Sequence, residues 1–218
     1  MTKAVILLSG GMDSTALLAS VRNEYNGILA LSVDYGQRHR KELVAAAAVA
    51  EFFHVEWQVL DLSGLAPLLP SALTRHDEPL PEGHYADESM KATVVPGRNA
   101  IMLAAAAGVA QGRGASTVLT AVHAGDHPIY ADCRPDFIAA MDSALHVGYG
   151  VHVIAPFCHV TKTDIARIGA EHAAPFDLSW SCYAGEEVHC GRCGTCVERI
   201  EAFQESGVHD PTAYEVQI

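Results

Sequence analysis

Residues 7–18 read LLSGGMDSTALL and place two glycines and three small polar residues between two apolar runs. The run AVILL (4–8) before the glycines is typical of a buried strand, and residues 13–23 are predicted to form a helix. Backbone N–H groups at a strand-to-helix turn converge on an anion, and the helix dipole favours negative charge there. Glycines also let the chain pass close to phosphate oxygens. The stretch therefore predicts a phosphate-binding loop.

This loop differs from two common phosphate-binding motifs. It has no lysine, which a Walker loop needs, and it lacks the Gly-x-Gly-x-x-Gly fingerprint of dinucleotide sites. Its Ser-Gly-Gly-x-Asp-Ser pattern at 9–14 resembles the PP-loop of the ATP pyrophosphatase superfamily, which implies that it holds the pyrophosphate of ATP. Ser9 and Ser14 would add hydroxyl donors, and Asp13 would either hold Mg²⁺ or fix the loop. We expect ATP to contact the following residues: Leu8, Ser9, Gly10, Gly11, Met12, Asp13, Ser14, Thr15, Ala16, Leu17 and Leu18.

Apolar runs and helix-like segments alternate along the rest of the chain. The predicted strands are 4–8, 28–35, 56–62, 116–122 and 152–157, and the predicted helices are 13–23, 38–53, 98–111, 134–147, 161–173 and 197–205. Apolar strands that alternate with helices indicate an α/β fold, with a parallel sheet covered by helices on both faces. Residues 63–97 interrupt this pattern with five prolines and three glycines, and an insertion of this length indicates a substrate lid.

Length and charge restrict the class of protein. The chain of 218 residues, half of them hydrophobic, is long enough for one sizeable α/β domain and a small appendage. Its 14 Lys and Arg residues stand against 26 Asp and Glu residues, a balance that disfavours extended nucleic acid as a stable partner. The first apolar run is too short for a signal peptide or a membrane span, so we expect a cytoplasmic protein that does not bind membranes.

Four of the six cysteines lie close together, at Cys182, Cys190, Cys193 and Cys196. Two overlapping C-x-x-C steps are typical of a metal site, and without a secretory signal a disulfide framework is disfavoured. Four thiolates around one Zn²⁺ form a closed, structural site, and we expect one zinc ion per chain. An iron–sulfur cluster is the alternative, because it also takes four thiolates.

The remaining cysteines, Cys133 and Cys158, stand apart and are predicted to be buried as small hydrophobic side chains. No internal repeat, linker or low-complexity tract divides the sequence. We predict a nucleotide-binding α/β domain at 1–174 and a zinc-binding C-terminal segment at 175–218 that packs on the same domain.

Several further stretches occur in order along nearly the whole chain. They are DYGQRH (34–39), SALT (71–74), VPGRN (95–99), DCRPDF (132–137) and CYAGEEVHCGRCGTCVER (182–199). Together with the loop at 9–14, they resemble the 7-cyano-7-deazaguanine synthase family. The resemblance implies a PP-loop α/β fold, a structural zinc ion and a homodimer. It also implies an ATP-dependent ligase of queuosine biosynthesis that converts 7-carboxy-7-deazaguanine and ammonia into the nitrile.

The sequence departs from this family in one loop. Family members commonly carry Ser-Gly-Tyr-Pro-Asp-Cys-Arg after an aspartate, whereas this chain reads HAGDHPIYADCRPDF at 123–137, with Pro128 and Ile129 in place of Ser-Gly. Asp132, with Asp126 in reserve, would accept a pair of hydrogen bonds from a guanine-like edge, although either aspartate could instead cap a loop. Four residues of this run are predicted to bind the substrate: Asp126, Tyr130, Asp132 and Arg134.

The implied reaction requires activation of a carboxylate. Attack of the carboxylate on the α-phosphorus of ATP gives an acyl-adenylate, ammonia converts it into an amide, and activation of the amide oxygen leads to the nitrile. Lys162 and Arg98 are candidates for neutralising charge at the reacting phosphates, although Lys162 could also be a solvated residue at a helix start. With Asp13 and Ser14, they are the predicted catalytic residues.

Two other functions remain compatible with these residues. A PP-loop enzyme that transfers sulfur to tRNA would hold an iron–sulfur cluster on the four cysteines, and the purified protein would be coloured. A zinc-stapled module that binds nucleotides without catalysis is the second alternative, and ATP turnover would distinguish it from an enzyme.

Overall fold

The computed structural model describes residues 2–75, 77–85, 87–184 and 187–216. The predicted ranges 1–174 and 175–218 therefore include a few positions outside the described residues: 1, 76, 86, 185, 186, 217 and 218. The strands are β1 (Lys3–Leu7), β2 (Gly27–Asp34), β3 (Glu56–Asp61), β4 (Thr117–Leu119) and β5 (His152–Ile154). They form one parallel sheet in the order β3-β2-β1-β4-β5.

The central strand β1 explains where a ligand site can form. Val5 and Ile6 are consecutive residues of β1 and belong to apolar clusters on opposite faces of the sheet. Each is 0% exposed, so both faces are covered. The strand order reverses between β1 and β4, which sends the chain to opposite faces after these two strands. In sheets of this kind a crevice opens beyond the carboxyl ends of the strands at the reversal point.

Within the described residues, six α-helices cover the sheet: α1 (Met12–Val21), α2 (Lys41–Phe52), α3 (Arg98–Gly112), α4 (Pro135–Tyr149), α5 (Lys162–Glu171) and α6 (Gly194–Ser206). On one face, α1, α2, α5 and α6 share a core that includes Leu17, Ile165 and Phe203. On the other face, α3 and α4 contribute Leu103 and Leu145 to a second core. The predicted α/β fold with helices on both faces is confirmed. Within the described ranges, no helix has the length and apolar character needed to cross a bilayer.

Two strands are shorter than the apolar runs that predicted them. The runs at 116–122 and 152–157 contain strands of three residues each. Thr120 N still donates to Ile154 O at 3.1 Å, and beyond this bond the two segments separate. Residues 120–122 then line a cavity, so their apolar character reflects burial rather than strand pairing.

The last helix begins earlier than predicted. α6 starts at Gly194 rather than at 197, because Cys193 O accepts from Cys196 N at 2.9 Å and from Val197 N at 3.0 Å. The first turn of the helix carries a cysteine and a glycine instead of a regular apolar stripe, and for that reason the periodicity is visible only further along the chain.

A buried arginine fastens α6 to the rest of the molecule. Arg199 is 0% exposed, and it donates to Phe176 O at 3.1 Å and to Ser179 Oγ at 2.8 Å. Asp210 Oδ1 lies 3.3 Å from Arg199 Nη2 and supplies the counter-charge that a buried guanidinium needs. Phe203 packs edge-on against Phe176 with ring centroids 5.1 Å apart, which places the C-terminal segment on the α1 and α5 face.

The long connection between β3 and α3 has regular local structure and packs around apolar side chains. It contains two 3₁₀ turns, Ser63–Leu68 and Glu88–Thr93. Leu73 is fully buried beside Tyr35, so the segment has its own small core. This connection brings Tyr85 into the cavity described below.

Candidate active site

The loop between β1 and α1 is shaped by a glycine and two serines. Gly10 has a φ of +88°, and a Cβ there would lie 2.2 Å from the carbonyl oxygen of Glu42, so only glycine lets the loop approach α2 this closely. Ser9 Oγ lies 3.0 Å from Ser14 Oγ and accepts from Gly11 N at 3.2 Å. The turn thereby presents the first N–H groups of α1, which have no acceptor within the helix.

The structure brings the first part of the predicted ATP motif to one cavity. Six of its residues line that cavity: Leu8, Ser9, Gly11, Met12, Asp13 and Ser14. Ala16, Leu17 and Leu18 are instead 0% exposed in the core beneath the loop, because α1 turns these side chains toward the sheet. Gly10 and Thr15 do not line the cavity. Of the predicted motif, only the start therefore reaches the cavity.

The cavity measures about 240 Å³ and opens at the crevice between β1 and β4. The loop and Lys162 form one side of it. The other side is rich in aromatic rings, contributed by Tyr35, Tyr85, Tyr130 and Tyr183. A site that combines N–H donors and an ammonium with flat aromatic surfaces can hold a phosphate chain beside a planar ring.

Lys162, the first residue of α5, joins the loop to the C-terminal helix. Its Nζ lies 2.7 Å from Asp13 Oδ2 and 3.1 Å from Glu198 Oε2. Thr161 caps α5 by accepting from Asp164 N at 3.1 Å, which fixes the position of the lysine backbone. One ammonium therefore connects α1, α5 and α6.

The carboxylates of Asp13 and Glu198, which both pair with Lys162, differ in their acidity. Burial raises the pKa of Glu198, and the charge of Lys162 only partly reverses this effect. Burial acts on Asp13 in the same direction, but there Lys162 and His123 outweigh it and lower the pKa. Burial also disfavours the charged form of Lys162, yet the two carboxylates outweigh it and raise the pKa of the lysine. Asp13 is thus held ionised, while Glu198 takes up a proton more readily.

A buried histidine lies between the aspartates of the site. His123 Nδ1 accepts from Gly125 N at 3.1 Å, which leaves the ring proton on Nε2. Nε2 lies 3.6 Å from Asp126 Oδ1 and 3.8 Å from Asp13 Oδ2. Asp126 also accepts from His123 N at 3.1 Å and from Tyr85 OH at 3.2 Å. His123 therefore lies between the side of the cavity formed by the loop and Lys162, called the phosphate side below, and the side formed by the tyrosines.

Arg98 is a second cation at the cavity, on its aromatic side. It is the first residue of α3 and follows Gly97, whose φ is +66°. Its Nη1 donates to Tyr35 OH at 3.3 Å, and the guanidinium carbon lies 5.6 Å from the centroid of the Tyr35 ring. Burial raises the pKa of Tyr35 to about 12, although Arg98 opposes the shift, so this hydroxyl stays protonated at neutral pH.

Two of the four predicted substrate residues reach the cavity. Asp126 and Tyr130 line it and are 9% and 3% exposed. Asp132 does not line it, because its Oδ2 accepts from Asn99 N at 3.1 Å in the first turn of α3. Arg134 is exposed and points away, with Nε donating to a backbone carbonyl at 3.0 Å. The loop thus presents Asp126 and Tyr130, while Asp132 acts as a cap.

Sequence reasoning missed His123, Glu198 and Tyr183. The histidine lies three residues before Asp126, and that spacing was an available signal. Glu198 lies two positions after the last of the four clustered cysteines, and Tyr183 directly follows the first. Only the fold reveals that the segment which carries the cysteines also delivers two side chains to the site.

The four clustered cysteines converge on one point. They are buried, and their Sγ atoms all lie within 4.8 Å of one another. Sulfur atoms about 2.3 Å from a tetrahedral zinc ion lie roughly 3.8 Å apart, and the Sγ atoms of Cys190 and Cys196 are 4.0 Å apart. Cys190 Sγ accepts from Arg192 N at 3.4 Å and from Cys193 N at 3.3 Å, and such donors favour thiolates. The group could therefore hold a metal ion such as zinc.

Neighbouring side chains do not compete for this position. His189 Nε2 accepts from Ser181 N at 3.0 Å, and its ring packs on Trp180 with centroids 4.3 Å apart. Cys133 and Cys158 lie outside the cluster and are 3% and 6% exposed, so their predicted burial is confirmed.

A family model described as queuosine biosynthesis protein QueC matches residues 3–207. The chain belongs to the QueC family. Two relatives are named 7-cyano-7-deazaguanine synthase. The one from Rhizobium meliloti (strain 1021) is 52% identical over 217 residues, which are 98% of this chain and 92% of the relative. The one from Caldicellulosiruptor bescii is 47% identical over 218 residues, which are 99% of each chain.

A solved structure of NMN synthetase from Francisella tularensis resembles the chain with a TM-score of 0.52. The match covers 94% of this chain and 72% of that one, at 18% sequence identity. A likeness at this identity supports the predicted PP-loop α/β fold alone.

Proposed function

We propose that this QueC-family chain is a 7-cyano-7-deazaguanine synthase that converts 7-carboxy-7-deazaguanine, ATP and ammonia into the nitrile. The observation that carries the proposal is that a phosphate-binding loop and an aromatic wall face each other across one cavity. ATP and a planar base need both surfaces in a single site. Two relatives about half identical to the chain bear this enzyme's name, which favours it over sulfur transfer or a non-catalytic module.

The chemistry proceeds through two activations at this site. An oxygen of the substrate carboxylate bonds to the α-phosphorus while the bond to pyrophosphate breaks, and ammonia then displaces AMP to give the amide. The amide oxygen is activated in the same way, and its departure with loss of two protons leaves the nitrile. The protein contributes mainly by positioning the reactants and neutralising developing charge.

The phosphate side of the cavity supplies the groups that handle ATP. The α1 N–H groups and Ser14 would hold the pyrophosphate, and Lys162 would neutralise its charge. Mg²⁺ bound with ATP would supply further positive charge at the phosphates, and Asp13, whose carboxylate is kept ionised, fits its preference for oxygen ligands. Arg98, the other candidate for this role, lies instead on the aromatic side of the cavity, beside Tyr35.

The aromatic side would hold the deazaguanine ring. Asp126 is a carboxylate on this side that would accept from the N1–H and amino edge, and Tyr130 would pack against the ring. Asp132 and Arg134 would act indirectly, by holding the loop and the start of α3 in place.

The C-terminal segment, 175–218, would form a unit organised by zinc and packed on the nucleotide-binding domain, 1–174. The donor set supports this role, because four buried thiolates leave no open position for catalysis. Family resemblance further supports a homodimer that acts on small molecules. The excess of 26 acidic over 14 basic residues supports a protein of the cytoplasm that does not hold nucleic acid as a stable partner.

One experiment tests the reaction. The purified protein would be supplied with 7-carboxy-7-deazaguanine, ammonium and Mg-ATP, and the products followed by mass spectrometry. We expect AMP and pyrophosphate, with the amide appearing before the nitrile. ATP cleavage that requires tRNA, with neither amide nor nitrile formed, would show that the proposed function is wrong.

A further inference from the structure

The two cations at the cavity differ in how they are neutralised. Lys162 is held by two carboxylates, at 2.7 and 3.1 Å. Arg98 is in no ion pair within the part of the chain that the structure describes, and its side-chain hydrogen bond there runs to the hydroxyl of Tyr35. A guanidinium at a partly buried position without a counter-charge is costly, so a bound anion would stabilise it.

The surroundings of Arg98 point to an anion on a planar molecule. Besides Tyr35, the rings of Tyr130 and Tyr183 belong to this side of the cavity. All three tyrosines line the cavity, so the cation sits at the edge of an aromatic wall. A guanidinium also presents parallel N–H groups whose spacing matches a carboxylate.

The topology separates Arg98 from the phosphate side. The loop and Lys162 belong to α1 and α5 on one face of the sheet, whereas Arg98 enters from α3 on the opposite face. The anion nearest to Arg98 is therefore expected on the substrate that lies against the tyrosines, rather than on the pyrophosphate.

We infer that Arg98 is the residue that selects the carboxylate form of the substrate. This inference rests on the proposed function, in which the first activation acts on a carboxylate and the second on a neutral amide. Arg98 pairs with the carboxylate while one of its oxygens bonds to the α-phosphorus and the bond to pyrophosphate breaks. No proton moves in this step. Once the amide has formed, the negative charge is gone and Arg98 contributes little to the second activation.

The test compares the two half-reactions in Arg98→Met. Each half-reaction is started from its own substrate, the acid or the amide, and kcat/KM is measured with saturating Mg-ATP. We expect the acid reaction to fall about 10- to 100-fold, the size of a lost hydrogen-bonded charge contact. The amide reaction should stay within about threefold, which would also show that the variant is folded. Arg98→Lys keeps the charge but lacks the parallel N–H groups of the guanidinium, so it should recover part of the acid reaction.

Arg113→Met provides the matched control, because Arg113 lies at the other end of α3 and pairs with Glu56 at the surface. It should leave both half-reactions unchanged. Equal losses on the acid and the amide in Arg98→Met would assign Arg98 to the phosphates and overturn the inference. If the wild-type protein makes nitrile from neither substrate, the proposed function fails instead. Calorimetry adds a check without turnover, since Arg98→Met should weaken binding of the acid and not of the amide.

Discussion

Lys162 Nζ lies 2.7 Å from Asp13 Oδ2, although 149 residues separate them in the chain. Each residue stands in the first turn of its helix, so α1 and α5 direct their N-termini at the same edge of the sheet. Both helix dipoles place positive charge there, and the lysine adds more. Asp13 supplies the opposing charge that holds the ammonium at the cavity. This pair therefore places positive charge at a site for an anion while compensating the buried ammonium.

Replacing Asp13 by asparagine tests that arrangement. Asp13→Asn keeps the shape of the side chain but removes the charge that holds Lys162. We expect AMP and pyrophosphate release to fall about 10-fold or more, as for loss of one preorganised charge contact. Asp136→Asn is the control, since Asp136 is also acidic and in the first turn of a helix but lies outside the cavity. An Asp13→Asn variant with wild-type turnover would contradict the role given to this pair.

The acidity of Glu198 predicts a pH dependence of stability. Because burial raises its pKa in the folded state, the folded protein binds this proton more tightly than the unfolded chain. The contribution of Glu198 to stability is therefore greatest at low pH and declines as the pH rises through its unfolded and then its folded pKa. As the pH rises from below the ordinary pKa of a glutamate through the raised pKa of the folded state, wild type should lose stability relative to Glu198→Gln. Urea unfolding at several pH values measures the difference.

Glu205→Gln is the matched control for this measurement. Glu205 lies on the same helix but is exposed, where it accepts a hydrogen bond from Thr163 at 2.8 Å. The difference in free energy of unfolding between wild type and Glu205→Gln should stay nearly constant across this pH range. A Glu198→Gln effect that stays constant across the pH range would show that this carboxyl is not perturbed by burial.

The sequence predicted the scaffold because local chemistry determines it. The motif at 9–14 predicts a turn between a buried strand and a helix. The spacing of the four cysteines predicts a metal site. The positive φ of Gly10 and the convergence of the four sulfurs follow from those same residues. Local patterns thus determined the fold and the positions of the loop and the cysteine cluster.

The rest of the site could not be predicted, because it depends on which elements meet. Glu198 belongs to α6, and nothing near it in sequence indicates that it faces Lys162. Asp132 lies in the loop that resembles the substrate-binding run, yet its carboxylate caps Asn99 rather than facing the cavity. An aspartate that binds a ligand and one that caps a helix look alike until the tertiary structure shows what lies opposite.

The cysteine cluster should bind about one zinc ion per chain, as expected for a closed four-thiolate site. Cys193→Ala should lose the metal and, because metal binding contributes folding energy, several kcal/mol of stability. Loss of activity would follow from displacement of α6, which carries Glu198. Metal analysis and thermal unfolding measure both effects. Cys158→Ala is the control, since this buried thiol lies outside the cluster and its loss should leave the metal bound. If metal analysis finds stoichiometric iron and the protein absorbs visible light, the cysteines hold an iron–sulfur cluster and the zinc prediction is wrong.

The two aspartates of the substrate loop should separate binding from stability. Asp126 lines the cavity, so Asp126→Asn should raise the KM for 7-carboxy-7-deazaguanine, by analogy with base-edge contacts worth roughly 1–3 kcal/mol. Asp132 accepts from Asn99 N, so Asp132→Ala should lower the free energy of unfolding by about 1 kcal/mol, as for loss of a helix cap, and leave that KM nearly unchanged. Steady-state kinetics and urea unfolding of both variants provide the comparison. Asparagine at 126 retains an oxygen that can accept from Tyr85, so a change in KM there reflects the lost charge rather than a collapsed loop. A sharp rise in KM for Asp132→Ala with none for Asp126→Asn would show that Asp132, rather than Asp126, binds the edge of the deazaguanine ring.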